Sequence, residues 1–173
     1  AWKDERTLRI NYEARSSTQA FKIIVKEFKS KGNIIIKDLK ITYFEVDHKP
    51  VKHAFGFNFL HKNKKLTVSG DTRPCENIMK YGQNADVLLH EVFIDGELKQ
   101  TNKMRSRRTL HNVRSYHTPS SLLGKIAKLT NCKKLVLTHL VPTKFNEKKL
   151  KKTIRDDFGK NPIIGHDLLK IKI

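Results

Sequence analysis

Along the first half of the chain, apolar residues recur at every second position, and β-branched residues are frequent there. That pattern predicts strands. The segment FKIIVKEF (Phe21–Phe28) alternates and predicts the first strand. GNIIIKD predicts a turn and a short strand, and LKITYFEV (Leu39–Val46) a stronger one, followed by the polar break DHKPVKH. AFGFNFL and KLTVS read as the two arms of a hairpin, with HKNKK as its loop. Sequential strands of this kind are expected to be neighbours, as in a β-meander.

The rhythm then changes. Cys75 to Tyr81 predicts a short helix that Gly82 ends, and ADVLLHEV is a mostly apolar run of the kind a buried strand carries. DGELKQTNKMRSRRTLHNVRS is polar and basic, a long loop or an exposed helix. TPSSLLGKIAKLTN predicts a helix with Ser120 or Ser121 as its cap. KKLVLTHL is a second buried strand. FNEKKLKKTIRDDF predicts an amphipathic helix capped by Asn146 and stopped by Gly159. NPIIG and LLKIKI predict two short closing strands. A β-meander followed by alternating strands and helices is an α/β plan. The 173 residues suit a single domain, without internal repeats or low-complexity segments.

Composition narrows the class. Hydrophobic residues make up 38% and charged residues 31%, enough apolar mass for a core, and no apolar run approaches the ~20 residues of a membrane helix. The first residues, AWKDERTLRINYEARSS, contain no apolar signal-peptide core. Cys75 and Cys132 lie far apart and form neither a C-x-x-C pair nor a disulfide framework, so a reducing, cytoplasmic setting is expected. With 36 Lys and Arg against 17 Asp and Glu, the formal charge is +19, which favours a polyanionic partner such as nucleic acid. The lysines are scattered, so a simply solvated basic surface accounts for them equally well. Aromatic residues are few, and the stacking platforms of single-strand binders are not evident.

Candidate chemistry sits where strands run out. YFEV runs into Asp47-His48, LTVSG into Asp71-Thr72, DVLL into His90-Glu91, and LVLT into His139. Strand ends gathered at one edge of a sheet bring distant side chains together, and imidazole with carboxylate makes a good donor set for zinc-like ions. Taken singly each has a plainer reading. A lone His after a strand is usually capped or solvated, and an Asp after Gly is usually a turn residue. The pattern gains force from its four repetitions and from His117 in SYHTPSS, just before a helix.

The ordered set VDHKPVKHAFGFNF, VSGDTRPCENIMKYGQNADVLLHEV, SYHTPSSLLGKIAKL and LVLTHLVP resembles the C-terminal half of the metallo-β-lactamase superfamily. The likeness is to its ribonuclease Z-like branch, with that branch's arylsulfatase-like relatives. It runs from about Leu39 to the closing IIGHDLLKIKI. It implies part of an αββα sandwich with a site for two divalent ions, zinc or alternatively manganese, at one edge. By the same resemblance His48, Asp71 and His139 are the expected metal ligands, Asp71 as the bridge. Glu91 and His117 match a glutamate and a histidine that assist catalysis, in motifs otherwise altered here. The implied activity is attack of a metal-bound hydroxide on a phosphodiester of RNA. Hydrolysis of another ester, a sulfate or a β-lactam is the alternative within the superfamily, and a non-catalytic RNA-binding or scaffold protein is the alternative outside it. His53 is expected either to line the site or to lie on the surface, and His61 and His111 in loops. His166 is expected in a turn fixed by Asp167, and His90 on the opposite face of its strand from Glu91.

One departure is large. The family's H-x-H-x-D-H signature, which supplies most of its metal ligands, is absent, as is the β-meander before it. The chain reads either as the second portion of a longer enzyme or as a degenerate relative, and the retained His48, Asp71 and His139 favour the former. A half of a two-sheet fold leaves an apolar sheet face and open edges. A homodimer, or the absent N-terminal half, is expected to cover that face; no membrane partner is expected.

Overall fold

Seven strands lie side by side in the order in which the sequence writes them. They appear in a computed structural model that describes residues 2–13, 24–99 and 106–173. The strands are β1 (Gly32–Ile36), β2 (Leu39–Glu45), β3 (Phe55–His61), β4 (Lys64–Val68), β5 (Val87–Phe93), β6 (Lys134–Val141) and β7 (Ile163–Ile164). The helices are α1 (Trp2–Thr7), α2 (Glu76–Tyr81), α3 (Arg107–Ser115), α4 (Ser120–Leu129) and α5 (Glu147–Phe158). Strands β1 to β4 pair antiparallel as the predicted meander, and β4 to β7 pair parallel, joined by helical connections.

The β3–β4 hairpin is tighter than HKNKK suggested. His61 pairs with Lys64, and only Lys62 and Asn63 turn, both with positive φ (46° and 62°). Two successive left-handed residues match the twist of the flanking strands. At α5 the expected ends hold. The Asn146 side chain accepts from the Lys149 amide at 3.0 Å, and Gly159 stops the helix at φ 79°. At α4 the cap differs from expectation. Pro119 occupies the cap position, Ser120 and Ser121 lie inside the helix, and Asp95 of the β5 end accepts from the Ser121 amide at 3.1 Å. A carboxylate from another element thus does what a local serine was expected to do.

The core fills one face of the sheet. Phe44, Leu88, Val92, Leu135 and Leu137 from the strands meet Ile78 of α2, Leu123, Ile126 and Ala127 of α4, and Leu150, Ile154 and Phe158 of α5. Helices α4 and α5 touch closely at Gly124, where a Cβ would run into the Ile154 carbonyl. The other face carries Ile34, Ile41, Tyr43, Phe57, Phe59, Leu66 and Val68, all only half-buried. Part of it is covered by Phe28, which stacks on Tyr43 with ring centroids 4.1 Å apart and meets Phe55 and Phe57 edge-on.

Two predicted strands are not strands. In FKIIVKEF, residues 24–28 form no strand and pair with none, and 21–23 lie outside the described residues. Phe28 sits on an aromatic cluster, while Ile24 and Val25 both face solvent, so the alternation is not expressed as two faces. LLKIKI also stays unpaired. Gly165 donates to the Leu137 carbonyl at 2.8 Å, and the β6–β7 pairing ends at Leu137↔Ile164.

Candidate active site

Strand direction gathers the candidate residues. β2 and β4 both pair antiparallel with β3, and β4, β5 and β6 are mutually parallel. Four strands therefore run out at the same edge, carrying His48 after β2, Asp71 after β4, Glu91 in β5 and His139 in β6. His117 joins them from the segment between α3 and α4. Its ring centroid lies 5.1 Å from that of His48 and 5.4 Å from that of His139.

Two local backbone features aim the side chains. Gly70 has φ 61°, and a Cβ there would strike the Phe55 carbonyl, so the turn into Asp71 needs glycine. His139 is the extra residue of a β-bulge. Glu91 pairs with Thr138 and Val92 with Leu140, which leaves His139 unpaired at φ 41°. A bulge of this kind re-aims one side chain without disturbing the rest of the strand.

The buried centre is Glu91, whose residue is 1% exposed. Its Oε1 accepts from the Thr118 amide at 2.6 Å and from the Thr72 amide at 3.4 Å, and its Oε2 accepts from Nδ1–H of His117 at 3.1 Å. A buried carboxylate needs several donors of this kind. The bond fixes the His117 tautomer and leaves its Nε2 for other work. Ser69, Thr72 and Thr118 tie the layers together. Ser69 Oγ accepts from the Glu91 amide at 3.0 Å, and Thr118 Oγ1 donates to the Thr72 carbonyl at 2.7 Å. Arg73 donates from its amide to the Asp47 carbonyl at 2.9 Å and from Nη2 to Oδ1 of Asp47 at 3.1 Å, which pins the segment after β4 to the one after β2. Burial works against ionising Asp47, but the bonds from Arg73 and the Lys49 amide outweigh it and hold the carboxyl below its usual range.

Asp71 and His139 form a pair at the solvent side, with Oδ2 and Nε2 3.4 Å apart and both side chains about half exposed. Two donors on one tetrahedral zinc, each at about 2.0–2.1 Å, would stand about 3.3 Å apart. This pair therefore fits a shared ion. His48 donates from Nδ1–H to the Tyr116 carbonyl at 2.8 Å, which leaves Nε2 as the nitrogen available to a ligand, the outer-partner arrangement typical of ligating histidines. Among the described residues, however, no group of three His, Cys, Asp or Glu side chains is set to hold a metal ion. The donor chemistry fits a divalent ion, and the complete coordination shell is not formed by these residues.

The remaining histidines divide. His90 is fully buried on the opposite face from Glu91, as expected, and donates from Nδ1 to the Glu91 carbonyl at 2.7 Å. Burial lowers its pKa and keeps it neutral. His53, at φ 58°, is exposed and lines a depression of about 500 Å³ together with His48. His61 ends β3 and bonds Asp38 at 2.6 Å, and His111 lies in α3, so neither is a loop residue. The periodicity of a nine-residue helix is short enough to be hidden in a polar segment. Of the basic stretch 103–108, residues 103–105 lie outside the described residues, Ser106 caps α3 and Arg107 and Arg108 begin it. His166 and Asp167 follow β7 and line a cavity of about 400 Å³ with His139.

Asp95, Ser69, Thr72 and Thr118 are structural contributors that strand-end reasoning missed. Three of them adjoin residues it did single out, and proximity to a candidate was the available signal. Asp95 had none, because its partners, Ser121 and Arg114, lie far along the chain.

No protein-family model matches the chain. It is 28% identical over 138 residues to the ribonuclease Z of Mycolicibacterium gilvum, covering 79% of this chain and 47% of that protein. To the ribonuclease Z of Latilactobacillus sakei it is 34% identical over 109 residues, 62% of this chain and 31% of that protein. The chain thus spans about half the length, or less, of these relatives. Among solved structures it is similar to the metallo-beta-lactamase fold protein YhfI from Bacillus subtilis, with a TM-score of 0.62 and 22% identity over 80% of this chain and 50% of that one. The sheet and the helical layer are accordingly those of part of a metallo-β-lactamase fold, in a chain similar in sequence to ribonuclease Z.

Proposed function

We propose that this chain forms the second portion of a ribonuclease Z-like metal-dependent hydrolase that cleaves a phosphodiester of RNA. The observation that supports this most is the buried Glu91–His117 pair, 3.1 Å apart, beside the Asp71–His139 pair at one sheet edge. In this reading Asp71, His139 and His48 hold divalent ions, zinc or manganese, together with ligands from outside residues 1–173. A bound divalent ion supplies water activation and charge stabilisation at phosphorus.

The protein's own groups have separable tasks. Glu91 holds the His117 ring with Nδ1 protonated, so that Nε2 is the nitrogen that carries or releases the mobile proton. An imidazolium there is stabilised by the adjacent carboxylate, and it donates its proton to the leaving oxygen. Thr118 and Thr72 keep Glu91 from rotating away. The positive surface draws the phosphate backbone toward the edge.

The test is hydrolysis by the full-length protein of bis-p-nitrophenyl phosphate, a structured precursor RNA and a β-lactam, with and without zinc or manganese. Metal-dependent cleavage of the first two, lost in Asp71→Ala, agrees with the proposal. Cleavage of the β-lactam alone assigns the site to another bond. A second reading, a non-catalytic RNA-binding protein, draws on the lack of a three-donor group among the described residues. It predicts RNA binding without stoichiometric metal and without cleavage.

A further inference from the structure

Helix α3 leads straight into the site. Its last residue, Ser115, is two positions before His117, and the intervening Tyr116 gives its carbonyl to His48. The helix has nine residues, RRTLHNVRS, with three arginines and no carboxylate. Leu110 and Val113 are its half-buried positions, and none of its residues is buried.

Its charges are placed against the helix's own preference. Arg107 and Arg108 stand in the first turn, where the backbone dipole favours carboxylates, and neither has an ion-pair partner among the described residues. Arg114, one helical stripe along from Arg107 and His111, is different: its Nε pairs with Asp95 at 2.9 Å and fixes the helix to the end of β5. Other cations that do have a partner include Lys133–Asp86, Lys151–Glu147 and Lys152–Asp156, although with 36 Lys and Arg against 17 Asp and Glu many stand unpaired. An anchored helix with two unpaired arginines at its far end costs some stability unless an external anion completes it.

From this geometry we infer that α3 is a docking rail for the phosphate backbone of the RNA substrate, with Arg107 and Arg108 as its contacts. The inference rests on the RNA-hydrolase reading above. Eight helical steps of about 1.5 Å put Arg107 about 12 Å along the axis from Ser115. That length exceeds one nucleotide step, so in this reading the arginines meet a phosphate other than the one at His117.

The test compares wild type with Arg107→Ala/Arg108→Ala, and with Lys125→Ala/Lys128→Ala as a control of equal charge on the exposed face of α4. A fluorescein-labelled 20-base-pair hairpin RNA is titrated across a series of NaCl concentrations, and bis-p-nitrophenyl phosphate turnover is measured in parallel. The arginine variant is expected to bind the hairpin at least about tenfold more weakly at low salt. Its log–log salt slope should be smaller by about 1.5–2, as for two lost phosphate contacts. Turnover of the small diester should not change, and the lysine control should keep the wild-type slope. An unchanged slope in the arginine variant, or an equal loss in the control, overturns the inference. So does a loss confined to binding of phosphatidylserine vesicles. Hairpin binding that depends on the arginines without any diester cleavage sinks the hydrolase reading and leaves the docking helix standing.

Discussion

Glu91 and His117, 26 residues apart in sequence, share a 3.1 Å hydrogen bond with side chains only 1% and 6% exposed. Replacing Glu91 by Gln either keeps the acceptor for the Thr118 amide and presents an NH₂ group to His117, or turns a neutral oxygen to His117 and loses that acceptor. Phosphodiester turnover is expected to fall by about 10²–10⁴-fold. The unfolding free energy should fall by about 1–3 kcal/mol at most. Steady-state kinetics alongside urea unfolding separates the two effects; equal activity in the variant would remove Glu91 from the mechanism.

His139 holds a left-handed backbone at φ 41° in order to face Asp71. Glycine relieves that conformation and alanine does not. His139→Gly is therefore expected to be more stable than His139→Ala by about 1 kcal/mol. Both should bind zinc at least about tenfold more weakly, the lower end of what even an outer partner's loss costs. Competition with a chromophoric chelator reads the affinity, and paired unfolding curves read the stability. Glycine no better than alanine would mean that the strain lies elsewhere.

Gly70→Ala should be costly although it adds one methyl group. The Cβ would collide with the Phe55 carbonyl at φ 61°. A loss of about 1–3 kcal/mol is expected, with weakened metal binding because Asp71 moves. Thermal melts and the same chelator assay measure both.

Asp95 links stability to pH. Its carboxylate accepts from the amide and hydroxyl of Ser121 at 3.1 and 2.7 Å and pairs with Arg114 at 2.9 Å. Burial works against ionisation, but these bonds outweigh it and lower the pKa. A carboxylate depressed in the folded state stabilises fully above its unfolded pKa, about 3.9, and that contribution disappears as pH falls through the folded value. Asp95→Asn keeps a capping oxygen but loses the charge that pairs with Arg114, so it should cost about 0.5–1 kcal/mol at pH 7, and the gap to wild type should close as the pH is lowered below about 4. A gap independent of pH would contradict this.

The sheet face opposite the core should drive association. Ile36 on edge strand β1 is 53% exposed, and Tyr43, Phe57 and Phe59 are only half-buried. In sedimentation velocity the isolated 173-residue chain is expected to dimerise or aggregate with rising concentration. A monomer that melts cooperatively would show that Phe28 and its neighbours suffice as cover.

Most of the layout was legible along the chain, because each element carries its own local cause. Period-2 runs made β1 to β4, continuous apolar runs made β5 and β6, and Asn146 and Gly159 delimited α5. The five candidate residues were legible only as a repeated pattern of strand ends together with a family resemblance. Their convergence depends on strand directions that no local signal states. Three features were decided by tertiary contacts alone. FKIIVKEF has the alternation of a strand, yet no neighbouring strand pairs with its described residues, and the stack of Phe28 on Tyr43 fixes it instead. LVLTHLV gives no sign of a bulge, since only pairing against Glu91 and Val92 reveals that His139 is the residue left over. Asp95 caps α4 from the end of β5, a bond between groups that meet only after the sheet forms. The sequence by itself determined which segments are regular and which polar groups stand where they end. The fold decided which of those groups face one another, because pairing register and strand direction exist only between segments.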